Sequence, residues 1–158
     1  MTDRFDPESR RIAAWWALAL LTATYTFSFI DRQIINLLVD PIRTDLSLSD
    51  SQLSFLQGLA FVLPYVILSI PLGRIVDRAN RIRVLVVGIL FWTISCVSCG
   101  LAKNFWQLGV ARMGVGAGEA SVTPASWSLL ADYFPEDKRA LPVSIFLMGP
   151  YLGAGLSL

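Results

Sequence analysis

At 158 residues, 54% hydrophobic and 16% charged, the chain falls well short of the roughly 25% charge content of soluble domains, so its surface suits lipid rather than water. A net charge of +1 supplies no field for nucleic acid. There is no histidine, which excludes a Ser-His-Asp triad, a Cys-His pair and every histidine-based metal site and leaves proton chemistry near neutral pH to carboxylates.

Residues 1–11 read as a polar, mobile tail ending in Arg10-Arg11. The first span, 12–39, carries no charge from Ile12 to Ile30 and is then interrupted by Asp31-Arg32. Asp40-Pro41 is expected to end it. Its reach of roughly 40 Å exceeds the apolar thickness of a bilayer. The run is too long for a signal peptide, and similar runs follow it.

Ser49-x-x-Gln52 reads as a capping box that opens the second span, 50–76, which holds Pro64 and Pro71. The third span, 84–101, contains Cys96 and Cys99. A C-x-x-C with no second ligand pair reads as small residues packing on one helix face rather than as a redox or metal site. The fourth span, 105–131, is broken softly by Pro124, and the fifth, 140–158, is still running at Leu158. The internal prolines fit gating hinges and tolerated kinks equally well.

The loops fix an orientation. Nine Lys/Arg residues fall in the N-tail and in the loops after spans 2 and 4, whereas only Arg43 and Lys103 fall on the other side. The positive-inside rule therefore places the N-terminus in the cytoplasm of a multi-pass cell-membrane protein.

Arg32, Asp31, Arg112 and Glu119 are charged residues set well inside apolar spans. Each costs about 2.5–3.5 kcal/mol near a helix centre, so such residues mark hydrated pathways or mutual pairs. Arg112 and Glu119 lie two turns apart on one helix face, roughly 10 Å along the axis, too far to touch. Asp31 and Arg112 fall at the same expected depth and form the natural opposite-charge pair. Glu119 falls near the midplane, where carriers place coupling sites. Asp31 and Arg32 diverge by about 100°, so one of them is expected to brace a neighbouring helix.

The glycines of span 4, including Gly114, Gly116 and Gly118, suit close helix packing. A dinucleotide fingerprint fails there because Glu119 occupies its last glycine position and no strand precedes it. After span 2 comes Gly73-x-x-x-Asp77-Arg78-x-Asn80-Arg81. Gly73 would admit a close helix approach, Asp77 would accept hydrogen bonds from a helix N-terminus or from arginines, and Asn80 would take the left-handed conformation of a sharp turn.

These residues resemble the loop motif of the major facilitator superfamily, with Asn80 and Ile82 departing from its usual pattern. Arg112-x-x-x-Gly116-x-Gly118 is similar to that superfamily's fourth-helix motif. Gly149-Pro150-x-x-Gly153 is similar to its fifth-helix motif, often associated with antiporters. Asp31-Arg32 and Gly116-x-Gly118-Glu119-Ala120-Ser121 look like the Spinster branch. The resemblance implies an all-α, polytopic helix bundle corresponding to part of the N-terminal half of a twelve-helix secondary carrier. It implies that Asp31, Arg32, Arg112 and Glu119 serve proton coupling and solute handling, with protons, a small solute, the bilayer and missing C-terminal helices as partners. No cofactor, metal, nucleic acid or enzymatic constellation is expected. The solute class stays open among lipid-like molecules, sugar acids and other organic anions, with Arg32 and Arg112 leaning toward an anion. The rival reading is a truncated membrane protein that does not transport and acts as a scaffold or remnant.

Overall fold

The computed structural model describes residues 7–157. In chain order its helices are α1 (Pro7–Leu37), α2 (Val39–Leu46), α3 (Asp50–Gln57), α4 (Leu59–Arg78), α5 (Arg81–Gly100), α6 (Phe105–Glu119), α7 (Val122–Tyr133) and α8 (Ala140–Leu156), with a short 3₁₀ turn at Glu136–Lys138. All regular structure among the described residues is helical. Glu8–Leu37, Asp50–Arg78 and Arg81–Gly100 are each long and apolar enough to cross a membrane, and Ala140–Leu156 is a shorter apolar helix. Leu20, Ile67, Val87 and Ile94 are more than half exposed, as lipid-facing residues are.

Two helix interruptions fall four residues upstream of a proline. Proline has no N–H for the carbonyl four residues back, and its ring crowds that carbonyl. Pro41 thus deprives Leu37, the last residue of α1, and Pro124 deprives Ala120, directly after α6. This corrects two expectations. Asp40-Pro41 does not end the helical path, because α2 continues to Leu46 and closes on a left-handed Ser47 (φ 51°). The fourth span is divided at Ala120–Ser121 rather than bent at Pro124, which sits in the first turn of α7, where proline is tolerated. Residues 7–11 of the expected tail are helical, and residues 1–6 of it lie outside the described residues.

The contacts form two compact units, one combining the segment up to Ile30 with that from Leu129, the other Asp31–Ser128. In the first, α8 lies on α1 through glycines. A Cβ on Gly153 would meet the Thr26 carbonyl at 2.5 Å, and one on Gly149 would meet the Thr22 carbonyl at 3.2 Å. Fully buried Phe146 stacks on Tyr25 with ring centroids 4.8 Å apart. Pro150 lies inside α8. Arg139 closes the end of α7 by donating from Nε to the Phe134 carbonyl and from a terminal nitrogen to that of Ala131.

In the second unit, α6 packs against α4 and α5 through its small residues. A Cβ on Gly116 would collide with the Phe61 carbonyl, one on Gly118 would come within 2.6 Å of Trp92 N, and one on Gly114 within 2.5 Å of Ser95 Oγ. Phe61, Trp92 and Val115 are buried together at this seam. The capping box at Ser49 and Gln52 is formed in full. Between α4 and α5 the loop motif departs from expectation. Asn80 is extended (φ −71°, ψ 109°) and caps α5 by accepting from the Arg83 N–H, so no left-handed residue is needed there. Asp77 still lies in the last turn of α4, three residues too early for that role. It is exposed and makes no hydrogen bond or ion pair among the described residues. A Cβ on Gly73 would meet only ordinary contact, 4.0 Å from Pro124 Cβ.

Candidate functional site

Glu119 is the last residue of α6, and its side chain is fully buried. Arg32, from α1, donates to its Oε2 from both Nε (2.9 Å) and a terminal nitrogen (2.8 Å). The same guanidinium lies over two rings of α4, 4.8 Å from the Phe61 centroid and 5.0 Å from that of Tyr65. One helical turn separates these residues, so their rings stack, 5.7 Å apart and inclined by 20°. The rings take the cation's weakly hydrated faces while its edge meets the carboxylate. The hydroxyls of Tyr65 and Thr123 share a 3.3 Å hydrogen bond, tying α4 to the first turn of α7 just past the break at Ala120.

Asp31 takes a different route, and here the expected pairing with Arg112 is corrected. Its Oδ2 accepts from Trp92 Nε1 at 2.8 Å and from the Cys96 thiol at 2.9 Å. The 100° step between neighbouring helical residues explains the divergence: Arg32 turns to α6 and α4, whereas Asp31 turns to α5. Cys96 is therefore a hydrogen-bond donor to a carboxylate, not only a small packing residue.

Arg112 is 4% exposed. Its guanidinium lies 5.5 Å from the Phe61 ring centre. It forms no ion pair among the described residues, and its Nε has no hydrogen-bond partner. Arg112 and Asp31 do share one space, a cavity of about 370 Å³ also lined by Cys96, Cys99, Ile34, Ile35 and Leu108. The site thus holds one made ion pair, one carboxylate on neutral donors and one buried cation beside an apolar hollow.

Of the other residues singled out from sequence, Gly114, Gly116 and Gly118 form the wall of α6 behind the pair. Gly73, Asp77, Arg78, Asn80 and Arg81 stand at the α4–α5 junction and do not line the cavity. Gly149, Pro150 and Gly153 belong to the other unit. Sequence reasoning missed Phe61, Tyr65, Trp92 and the role of Cys96. The available signal was their placement, since a tyrosine hydroxyl or an indole N–H well inside an apolar span needs a polar partner.

Residues 21–158 match the Major Facilitator Superfamily. The chain belongs to this superfamily. It is 30% identical over 157 residues to an MFS-type efflux pump of Mycolicibacterium smegmatis (strain ATCC 700084 / mc(2)155), covering 99% of this chain and 36% of the relative. It is 29% identical over 141 residues to a probable L-galactonate transporter of Escherichia coli (strain K12), covering 89% of this chain and 31% of the relative. Its structure is similar to the crystal structure of a bacterial homologue of the human lysosomal transporter Spinster in an inward-facing, occupied conformation. That match has a TM-score of 0.86 and 39% identity, and covers 90% of this chain and 30% of the other. The chain spans about a third of the length of each. The Spinster-type resemblance of its motifs therefore stands, on an all-α membrane bundle of a superfamily of transporters rather than enzymes.

Proposed function

We propose that this chain supplies part of a proton-coupled secondary carrier for a small organic anion. The observation that carries the reading is Arg112, a buried guanidinium that forms no ion pair among the described residues and lines a cavity whose walls are largely apolar. A buried cation is costly unless something pairs with it, and a carboxylate or phosphate group of a solute matches its fork of donors. The apolar lining of Ile34, Ile35 and Leu108 would receive the solute's carbon skeleton. The E. coli relative's L-galactonate is an anion of this kind, which supports the class without naming the solute.

In this reading Glu119 is the proton-exchanging carboxylate. As an anion it accepts both donors of Arg32; as an acid it offers a donor of its own, and the pair loosens. Proton binding is thereby linked to the hold of Arg32 on the end of α6. The assembly would be multi-pass in the cell membrane with its N-terminus cytoplasmic, joined by the helices that make up the rest of such a carrier. Reconstituted transport measured across a pH series tests this directly. Glu119→Gln should insert normally and transport with a flat pH profile, and an unaltered profile would refute the assignment.

A further inference from the structure

Asp31 and Glu119, the carboxylates that flank this site, are held by unlike chemistry. Glu119 has a guanidinium, whereas Asp31 has two neutral donors one helical turn apart on α5, both directed at the same oxygen. Yet a cation stands in the same cavity. Arg112 is buried and, among the described residues, forms no ion pair and leaves its Nε without a partner. In a poorly screened interior, opposite charges that share a hollow attract strongly. The other titratable groups lining it are Cys99, a neutral thiol, and Asp45, which is exposed and so solvated. Arg32, next to Asp31 in the chain, is engaged with Glu119. Asp31 is thus the internal anion most able to close on Arg112, and the indole and the thiol are what turn it toward α5.

We propose that Trp92 and Cys96 are positioning residues that park Asp31 away from Arg112 and so keep that cation open for the anionic group of the solute. The proposal rests on the anion-carrier reading above and adds to it a reason for two uncharged side chains. Losing either donor frees Asp31 to compete with the solute, so apparent affinity should fall while the maximal rate holds. Serine at position 96 supplies a donor again; alanine does not.

Two measurements test it, one of them independent of any solute. In the Cys99→Ser protein, the infrared S–H stretch of Cys96 reports its acceptor. It should lie at the lowered frequency of a thiol bonded to a carboxylate and move up in Asp31→Asn; a band that stays put overturns the parking contact. The second is equilibrium binding of L-galactonate to the chain in nanodiscs, with inorganic phosphate as a second probe. Trp92→Phe and Cys96→Ala should each weaken binding about tenfold, the size of coupling expected between touching residues, and Cys96→Ser should recover it. In an Asp31→Asn background, which lacks the competitor, Trp92→Phe should cost nothing. An equal loss in that background would mean that the indole merely supports the fold, and no loss in either background would equally overturn the proposal. Wild-type protein that binds neither probe defeats the anion reading and with it the reason for keeping Arg112 open, while the infrared band shows separately whether the contact exists.

Discussion

Arg32 meets Glu119 through Nε and one terminal nitrogen, with aromatic faces beneath the guanidinium plane. An ammonium can reproduce neither the two-pronged contact nor the flat stacking. Arg32→Lys should therefore be destabilising although it keeps the charge, by about 1.5–3 kcal/mol, the loss of a charged hydrogen bond. Arg32→Met, which leaves the buried carboxylate without its guanidinium, should cost more, about 3–5 kcal/mol. Chemical unfolding in mixed micelles would read both, and a methionine variant as stable as the parent would contradict the pair. At this scale the sequence was only half legible. It marked Asp31, Arg32, Arg112 and Glu119 as out of place in lipid, and the helical step implied that Asp31 and Arg32 part company. It could not say which arginine reaches Glu119, because that depends on how α1 is rotated against α4 and α6. The deciding partners, Phe61 and Tyr65, look like ordinary apolar filling when read in isolation.

Among the elements, α6 is set by its glycines more than by its apolar residues. At Gly116 an added methyl meets the Phe61 carbonyl, and at Gly118 it meets the backbone of Trp92. Backbone cannot step aside as a side-chain end can, so Gly116→Ala and Gly118→Ala should each cost about 1–3 kcal/mol. Gly100→Ala, where nothing lies within 4 Å, should be neutral or stabilising by up to about 1 kcal/mol. The same unfolding assay ranks the three, and equal effects would refute the close approach. The cap of α5 offers a second contrast. Asn80→Ala should cost about 1 kcal/mol and speed amide exchange in the first turn of α5, whereas Asp77→Asn should leave that turn's exchange unchanged. The existence of these helices was readable because hydrophobic runs and caps such as Ser49 and Gln52 are local signals. Their joints were misplaced by three or four residues, because a proline acts on the carbonyl one turn behind it, not at its own position.

For the whole molecule, the basic loops make a prediction independent of any solute. Single cysteines introduced into a cysteine-free protein at Ser51 and Lys103 should react with a membrane-impermeant thiol reagent added outside intact cells. Cysteines at Ala79 and Lys138 should not. All four positions are exposed in the structure, so a silent pair reports the membrane and not burial. The reverse pattern would invert the orientation drawn from the arginine bias. Membership of the superfamily was legible from four short motifs in order, and Asp31 and Arg112 were legible as cavity residues, whereas the apolar walls were not, since they come from segments as far apart as Ile34 and Leu108.

The vacancy that Pro124 creates at the Ala120 carbonyl has a mechanical meaning. Flexing a regular helix stretches amide bonds; at this point, as at the other prolines within helices, there is none to stretch, so the stiffness of the rod drops immediately beyond Glu119. Leu38, which follows the equivalent gap left by Pro41, lines the cavity. Both soft points thus adjoin the charged centre, and small tilts of α2 or of the start of α7 would reach it before they disturb the glycine-locked wall behind.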